Sequence, residues 1–398
     1  MANALVANPD ERGAFAYNHA AMAFHEGSSI ALGAALINPN FSVTTDRRHE
    51  GVGTDWISAP MIQGMAEVNG RWRFGLGVHA PFGLETHWEE GTFPRLTGSQ
   101  ASLLVPVGPG VAVPVEVPKG DHPTLSRLEI ASLTPSVVYR ASDGLSLAAG
   151  LDYYRARETR LDSSLQQLAG DGDGWGWNLS FLYAQGPWSV GAAFHSGATL
   201  KIEGTVTLID DVVALGRFGR LAPVVVPAEV DLHLPWRFQI GARYEVTDTL
   251  AAELDWSRTG WSRFGTLKIR RAADGSILGT NTNLFDDSNA YRIGLSYDVL
   301  PQTRLRLGYA YDETGQGDGR FSPRIADSDR HLISVGAAQD LGQGWTAEAG
   351  YMYVMFNDRD FSSSRPYRLG EEINGTAAVN GEYQAHAHLV GLELRKTF

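Results

Sequence analysis

Eleven histidines and 45 acidic side chains offer material for proton transfer and metal binding, so their spacing is the first test of chemistry. No Gly-x-Ser-x-Gly elbow and no His-Glu-x-x-His motif occurs, so serine-nucleophile and zinc-hydrolase chemistry lack their local signatures. His386 and His388 stand two apart, which puts both rings on one side of a strand, where they could hold a metal or simply line a polar rim. The absence of cysteine removes thiol catalysis, disulfides and thiolate-bound metal, and suits an oxidising compartment. No residue set asks for a cofactor. Arg155, Arg157 and Arg160 form a basic cluster whose planar guanidinium forks would suit a carboxylate or a phosphate.

The element that carries most of these residues is the alternating strand. From Trp188 to Leu208 the even positions are mostly apolar and the odd ones small or polar, for about twenty residues without losing phase. Period two puts the two sets on opposite faces of one strand, and strands in water-soluble proteins usually run about 3–10 residues. The set Leu232, Leu234, Trp236, Phe238, Ile240, Ala242, Tyr244 and Val246 opposes Arg237, Gln239, Arg243 and Glu245 in the same way, and Leu305, Leu307, Tyr309 and Tyr311 oppose Arg304, Arg306 and Asp312. A basic side chain facing lipid at midplane costs about 2–4 kcal/mol, so the charged faces belong to a lumen. On that rule Lys201 and Glu203 point inward, and Arg237, Arg243, Glu253 and Asp255 read as a salt-bridged lining. Parity puts Arg155 and Arg157 on the lipid side with Tyr153, where lipopolysaccharide phosphates are a competing partner for them.

Fourteen such strands are legible, near 28–45, 55–67, 71–85, 124–141, 145–160, 174–185, 188–207, 229–246, 249–271, 286–298, 303–313, 329–339, 344–357 and 382–398. Short turns such as Asn69-Gly70 and Gly186-Pro187 take strict turns with long connections at 46–54, 86–123, 161–173, 208–228, 272–285, 314–328 and 358–381. That alternation, with an even strand count, is the mark of an all-β, outer-membrane antiparallel barrel with short periplasmic turns and long extracellular loops. Ten per cent aromatic residues suit interfacial girdles, and no apolar run is long enough for a membrane helix. A net charge of −12 argues against nucleic acid as a partner. A soluble propeller would show a repeat of about 40–50 residues, and none is present. Met1–Asp10 has neither a basic stretch nor an apolar core, so a secretory signal is expected to have been trimmed, or Met1 marks a fragment boundary.

Several segments in order resemble the FadL family of outer-membrane transporters for long-chain fatty acids and other hydrophobic compounds. They are Tyr17-Asn18-His19-Ala20-Ala21-Met22-Ala23, with His19 where the family has proline; Gly75-Leu76-Gly77-Val78-His79-Ala80-Pro81-Phe82-Gly83-Leu84; and Asp173-Gly174-Trp175-Gly176-Trp177-Asn178. Leu232-His233-Leu234-Pro235, Asn289-Ala290-Tyr291-Arg292-Ile293 and Ile325-Ala326-Asp327-Ser328-Asp329-Arg330 follow. The resemblance implies that residues 1–27 fold inside a barrel of residues 28–398 as a hatch, with Phe15, Tyr17, Asn18, His19 and Met22 facing the lumen wall. The family's mature N-terminus extends further upstream than Met1, so the hatch would lack its first part. A monomer, a hydrophobic small-molecule ligand, contact with outer-membrane lipid and lipopolysaccharide, and recognition of the last strand by the barrel assembly machinery are implied as well. Phe398 shares parity with Val390, Leu392 and Leu394, as that recognition requires, although Lys396 interrupts the aromatic pattern.

Two further elements bear on transport. Proline gives no N–H to a ladder and a closed barrel has no edge, so Ala80-Pro81-Phe82-Gly83 must either end the third strand or break the wall. About 3.3 Å per residue from Trp72, tilted about 45°, places Pro81 roughly 23 Å up, near the extracellular rim. The resemblance implies instead an inward kink that opens the wall. The connection at 86–123 is apolar at Leu103, Leu104, Val105 and Val107, and that at 208–228 at Leu215 and Phe218. These read as surfaces that capture greasy ligands, or as two loops that pack on each other. Tyr154-Arg155-Ala156-Arg157 resembles a family stretch too, which makes Arg155 and Arg157 the candidates for a ligand carboxylate. The expected function is passive uptake of hydrophobic molecules, long-chain fatty acids first. The alternatives are an aromatic hydrocarbon channel of the same family, an unspecific porin, and an outer-membrane lipase or protease.

Overall fold

A computed structural model describes residues 1–52, 56–218, 221 and 223–398, without the side chains of Ala14, Phe15, Leu84, Arg217 and Phe218. Fourteen antiparallel staves close on themselves. The first three are Ser29–Thr44, Ile57–Glu67 and Trp72–His87. The next three, Pro123–Arg140, Leu145–Ser163 and Gln166–Gln185, are the longest unbroken strands. Staves seven to ten are each built from two pieces. They are Trp188–His195 with Thr199–Leu208, Val224–His233 with Arg237–Glu245, Leu250–Thr259 with Thr266–Arg271, and Ile277–Thr282 with Ser288–Leu300. Thr303–Asp312, Arg330–Gly342, Trp345–Phe356 and Gly381–Thr397 complete the ring, and the last pairs with the first from Ser29–Thr397 to Thr44–Glu382.

Several expected loops are partly regular. The fifth and sixth staves extend as one hairpin through 161–173, the ninth and tenth are joined above by a hairpin from Thr266–Thr282 upward, and 208–228 holds the helix Asp211–Phe218. Within 86–123 the strands Ser99–Gly108 and Val111–Pro118 form a separate two-stranded hairpin.

Outside, two aromatic belts bracket the lipid-facing band. Trp72 against Tyr139 (4.7 Å) and Trp188 against Tyr244 (4.3 Å) belong to the lower belt. Tyr153 against Trp175 (4.8 Å) and Trp177 against Phe194 (5.3 Å) belong to the upper. Along the sixth stave the outward residues change from Leu179, Trp177 and Trp175 to Asp173 and Asp171, which sets the upper limit of the lipid at Trp175.

The seventh stave corrects the unbroken alternation expected from its sequence. Below the break, Trp188 and Val190 face outward and Ser189 and Gly191 face inward; above it, Leu200, Ile202 and Val206 are buried inside while Lys201 and Glu203 are exposed. His195 and Leu200 both face the lumen although five positions separate them, which a regular strand forbids. The break at 196–198 therefore turns the chain by half a revolution. The eighth stave does the same at 234–236, with Tyr244 outward below and Leu232 inward above, so its even positions do not share one face. Pro235 withholds an N–H there, the Ser196 hydroxyl accepts from Trp177 N (2.9 Å), and the Trp236 ring fills the space a side chain at Gly260 would need. The physical reason for the inversion is the solvent. Below the upper belt the outside is lipid; above it the outside is water, and apolar side chains turn in.

Candidate functional site

Residues 1–28 occupy the lower lumen, held by polar groups of the inner wall. Leu5 N and Val6 N donate to Asp255 Oδ2 (3.0 and 3.2 Å), Ala7 N donates to Glu253 Oε1 (2.8 Å), and the Ser189 hydroxyl donates to Ala7 O (2.6 Å). Glu253 and Asp255 thus bind backbone amides of this segment, where a salt-bridged lining was expected. Glu11 is clasped by Arg304 (3.2 Å) and Arg306. Burial pushes the Glu11 carboxyl up, but the two guanidiniums outweigh it and hold it below its ordinary value.

Of the expected hatch residues, Asn18 caps the short helix His19–Phe24 by accepting from Ala20 N (3.0 Å), and its amide donates to Val6 O and Phe181 O (2.7 and 2.9 Å). Tyr17 donates to Asn3 Oδ1 (2.7 Å). Met22 is fully buried, and its thioether occupies the space a side chain at Gly75 would need. The His19 ring lies 6.0 Å from that of His195. His195 Nδ1 meets Asp152 Oδ2 (2.9 Å), and Asp152 Oδ1 accepts from Thr134 Oγ1 (2.9 Å) and Asn178 Nδ2 (3.0 Å). The Phe15 side chain lies outside the described residues.

Above this polar layer the inverted half of the barrel encloses a cavity of about 120 Å³ lined by Leu128, Ile202, Val206, Leu232, Phe264 and Ile269. Loops roof it. Trp88, Phe93, Leu96, Phe321, Phe361 and Tyr383 are buried together above the barrel, and the Trp88 indole donates to Pro323 O (2.9 Å). His122 is buried in this roof; desolvation, with Arg324 nearby, lowers it to about 4. An apolar cluster runs from the cavity walls to Ile130, Tyr154 and Phe82.

Phe82 stands at an irregularity in the third stave. The third stave does not end at Pro81 near the rim; it continues to His87. One extra residue is accommodated between His79, opposite Ser132, and Phe82, opposite Ile130. This bulge turns the Phe82 ring inward, 6.2 Å from Trp261, with the Arg237 guanidinium 5.4 Å above it. On the other side, the ladder between the second and third staves runs from Glu67–Arg73 to Ile62–Val78 and stops. Val52 N reconnects to His87 O (2.8 Å) above. Ala80 and Gly83 are exposed along this interval and Pro81 is half-buried. Pro60 lies on the facing strand, so both margins hold a residue without an N–H.

Other candidates sit elsewhere. Arg155 pairs with Asp171 and Asp173 (3.6 Å) on the outer face, and Arg157 is exposed on the same face, so neither reaches the cavity. Three cations do line it: Arg127, Arg160 of the expected basic cluster, and Arg324, the most buried of them, which stands one residue before the stretch that begins at Ile325 and which no local pattern marks as buried. Arg237 lies over Phe82 and enters no ion pair among the described residues. His386 and His388 are outer-face residues stacked about Tyr353. Leu103, Leu104 and Val107 are exposed on the free hairpin, Leu104 by 74%, and Val105 is half-buried. The helix bearing the half-buried Leu215 touches the hairpin's second strand, so the two apolar connections do meet; the Phe218 side chain lies outside the described residues.

Comparison with known proteins gives concordant results. A family model described as outer membrane protein transport protein (OMPP1/FadL/TodX) matches residues 1–398. The 47 kDa outer membrane protein of Pasteurella multocida is 23% identical, covering 87% of this chain and 81% of the relative. A long-chain fatty acid transport protein of Escherichia coli is 21% identical, covering 98% and 89%. Among solved structures, a Pseudomonas aeruginosa FadL homologue superposes with a TM-score of 0.77 at 18% identity, over 99% of this chain and 95% of that one. The Pseudomonas putida toluene transporter TodX gives 0.69 at 14%, over 100% and 97%.

Proposed function

The chain belongs to the OMPP1/FadL/TodX family of outer membrane transport proteins, and we propose that it admits long-chain fatty acids by passive diffusion and releases them sideways into the bilayer. In this reading the exposed hairpin around Leu103, Leu104, Val105 and Val107, with the helix bearing Leu215 and Phe218, captures ligand. The cavity holds it, and residues 1–27 seal the lumen below. The ligand leaves past Phe82 through the interval bounded by Ala80, Pro81 and Gly83. The observation that carries this reading is the coincidence of the Pro81 bulge with the end of the ladder at Ile62–Val78, beside an apolar cluster continuous with the cavity.

The energetics favour such a route. Each buried methylene is worth about 0.8 kcal/mol, so an acyl chain carries on the order of 10 kcal/mol against re-entering water. A seam in the wall passes it from protein to bilayer without that cost. A second reading rests on cavity size: about 120 Å³ is close to the ~150 Å³ of a dry engineered cavity that binds benzene, which suits a small aromatic hydrocarbon.

Uptake of labelled fatty acid and of toluene by a deletion strain carrying the gene tests both. Fatty acid uptake that is lost on removing Pro81, with the barrel still folded, is the expected result. Toluene uptake alone would favour the second reading, and unchanged uptake in the folded deletion variant would refute lateral release.

A further inference from the structure

The ladder between the eighth and ninth staves is interrupted beside the cavity. From below it runs as far as Gly260 N, which donates to Trp236 O (2.8 Å). Above, the two staves share the rungs Glu229–Arg270 and Ala228–Arg271, and Ala272 N then donates to Pro227 O (3.0 Å). Between these points no rung joins residues 230–235 to residues 261–269 among the described residues. The ninth stave leaves the register there through the short helix Trp261–Arg263. On its other side the eighth stave is paired throughout, from Thr199–His233 to Leu208–Val224, so the interruption belongs to one seam.

Side chains close this interval where backbone bonds do not. Val230, Leu232 and Leu234 on one margin belong to a single apolar cluster with Phe264 and Leu267 on the other, and all but Leu234 line the cavity. Glu229, exposed on the outer face, lines it too. The height of the interval is set from both ends. At its lower end Trp236 stacks on Phe194 of the upper belt (6.3 Å). Higher up, Asp231 and Lys268 are exposed on the two margins, and Asp231 meets Arg270 (3.8 Å). The outside is therefore water here, and the backbone groups that a ladder would have paired are solvated, as they could not be in lipid. One long exposed side chain, Arg263, reaches over the lower corner to Gly197.

We propose that this interval is the entrance through which an apolar chain passes from the outer surface of the membrane into the cavity. It rests on the uptake reading above and supplies the step between capture and cavity. The helix Asp211–Phe218 joins the seventh stave to the eighth, so a ligand held on it stands at the head of the seam. A paired ladder would have to break polar bonds to open. A seam closed by side chains opens by rotamer changes, and a chain sliding between Leu232 and Leu267 exchanges one set of apolar contacts for another. Inside, Phe264, Trp261 and Phe82 follow one another at 6.3 and 6.2 Å, so aromatic surface leads from this seam to the bulge at Pro81.

The test is uptake of radiolabelled palmitic acid by a deletion strain carrying the full chain with one engineered cysteine, before and after capping with a polyethylene glycol maleimide. Asp231→Cys and Lys268→Cys stand on the two margins, and Asp358→Cys, above the thirteenth stave, is the control. Gel mobility reads completion of the cap, and electrophoresis without heating checks that each barrel is folded. Capping either margin should abolish uptake, and capping the control should leave it at the uncapped rate. Full uptake past a completely capped margin, or equal loss on capping the control, would overturn the entrance and leave fatty acid uptake standing. A native chain that takes up no more palmitic acid than the deletion strain would overturn the uptake reading and the entrance with it.

Discussion

Val78 faces Ile62 on the last rung of the ladder between the second and third staves among the described residues, and above it Val52 N donates to His87 O. Sideways release requires the second and third staves to stay unpaired above that rung, which has a direct chemical signature.

The chain has no cysteine, so engineered pairs report cleanly. Opposed residues in an antiparallel ladder have Cα atoms about 4.5–5.5 Å apart, inside the range a disulfide spans. Ile62→Cys with Val78→Cys should therefore oxidise readily. Pro60→Cys with Ala80→Cys should not, because no rung joins their segments among the described residues. Rapid oxidation of the second pair, read by gel mobility, would show the interval to be closed.

The lower seal should depend on Glu11. Arg306 also meets Glu348 (2.8 Å), so Glu11→Ala leaves Arg304 and Arg306 crowded inside the barrel while sparing the wall pairs. Each guanidinium keeps one wall carboxylate, Asp298 or Glu348, but the anion that tied both to the N-terminal segment is gone, which loosens the hold on residues 1–11. Planar-bilayer recordings should show frequent open-channel events in Glu11→Ala and few in the native chain, with strand content unchanged by circular dichroism. Equal quiet in both would assign the seal to other contacts.

The inverted upper half makes a prediction about accessibility. Lys201→Cys and Glu203→Cys should react quickly with a membrane-impermeant maleimide added to intact cells, and Ile202→Cys should be at least tenfold slower. The same reagent should fail against Leu254→Cys, which faces lipid below the belt. Protection of Lys201→Cys would restore the inward placement that the uninterrupted alternation suggested.

The roof should loosen in acid. Burial holds His122 neutral, with a native value of about 4 against about 6.5 when exposed. Between those values the opened roof binds the proton that the closed roof refuses. His122 thus adds to roof stability in full above about pH 6.5, progressively less below it, and not at all once the pH has fallen through 4. Amide exchange at Phe93, whose N–H donates to His122 Nε2 (3.4 Å), should accelerate relative to unroofed strands across that window, and His122→Asn should flatten the trend. A native profile as flat as that of the variant would remove His122 as the cause.

The staves were legible because a period of two survives every local accident. Fourteen strands, their order and the short turns follow from it, and so does the outward placement of Arg155. The half-revolution at 196–198 was not legible, since parity in sequence is preserved while parity in space is not; only Gly197 and Pro235 hinted at it. The same blind spot hides the cavity, because its walls come from residues such as Leu232 that sequence parity places on the lipid face. Pro81 announced an irregularity but not its kind, and counting residues from Trp72 pointed to the rim. The matching Pro60 was available and was the better clue. Arg324 had no signal at all, because burial in a loop leaves no periodic trace.

The half-revolution in the seventh and eighth staves has a consequence for how such a protein can change. It divides each stave into a lower length answerable to lipid and an upper length whose inner face walls the chamber. A substitution at Ile202 or Leu232 reshapes the chamber without touching the hydrocarbon boundary, and one at Val190 or Tyr244 adjusts the fit to the bilayer without touching the chamber. The shape of the chamber and residence in the membrane are thereby made independent variables of one polypeptide.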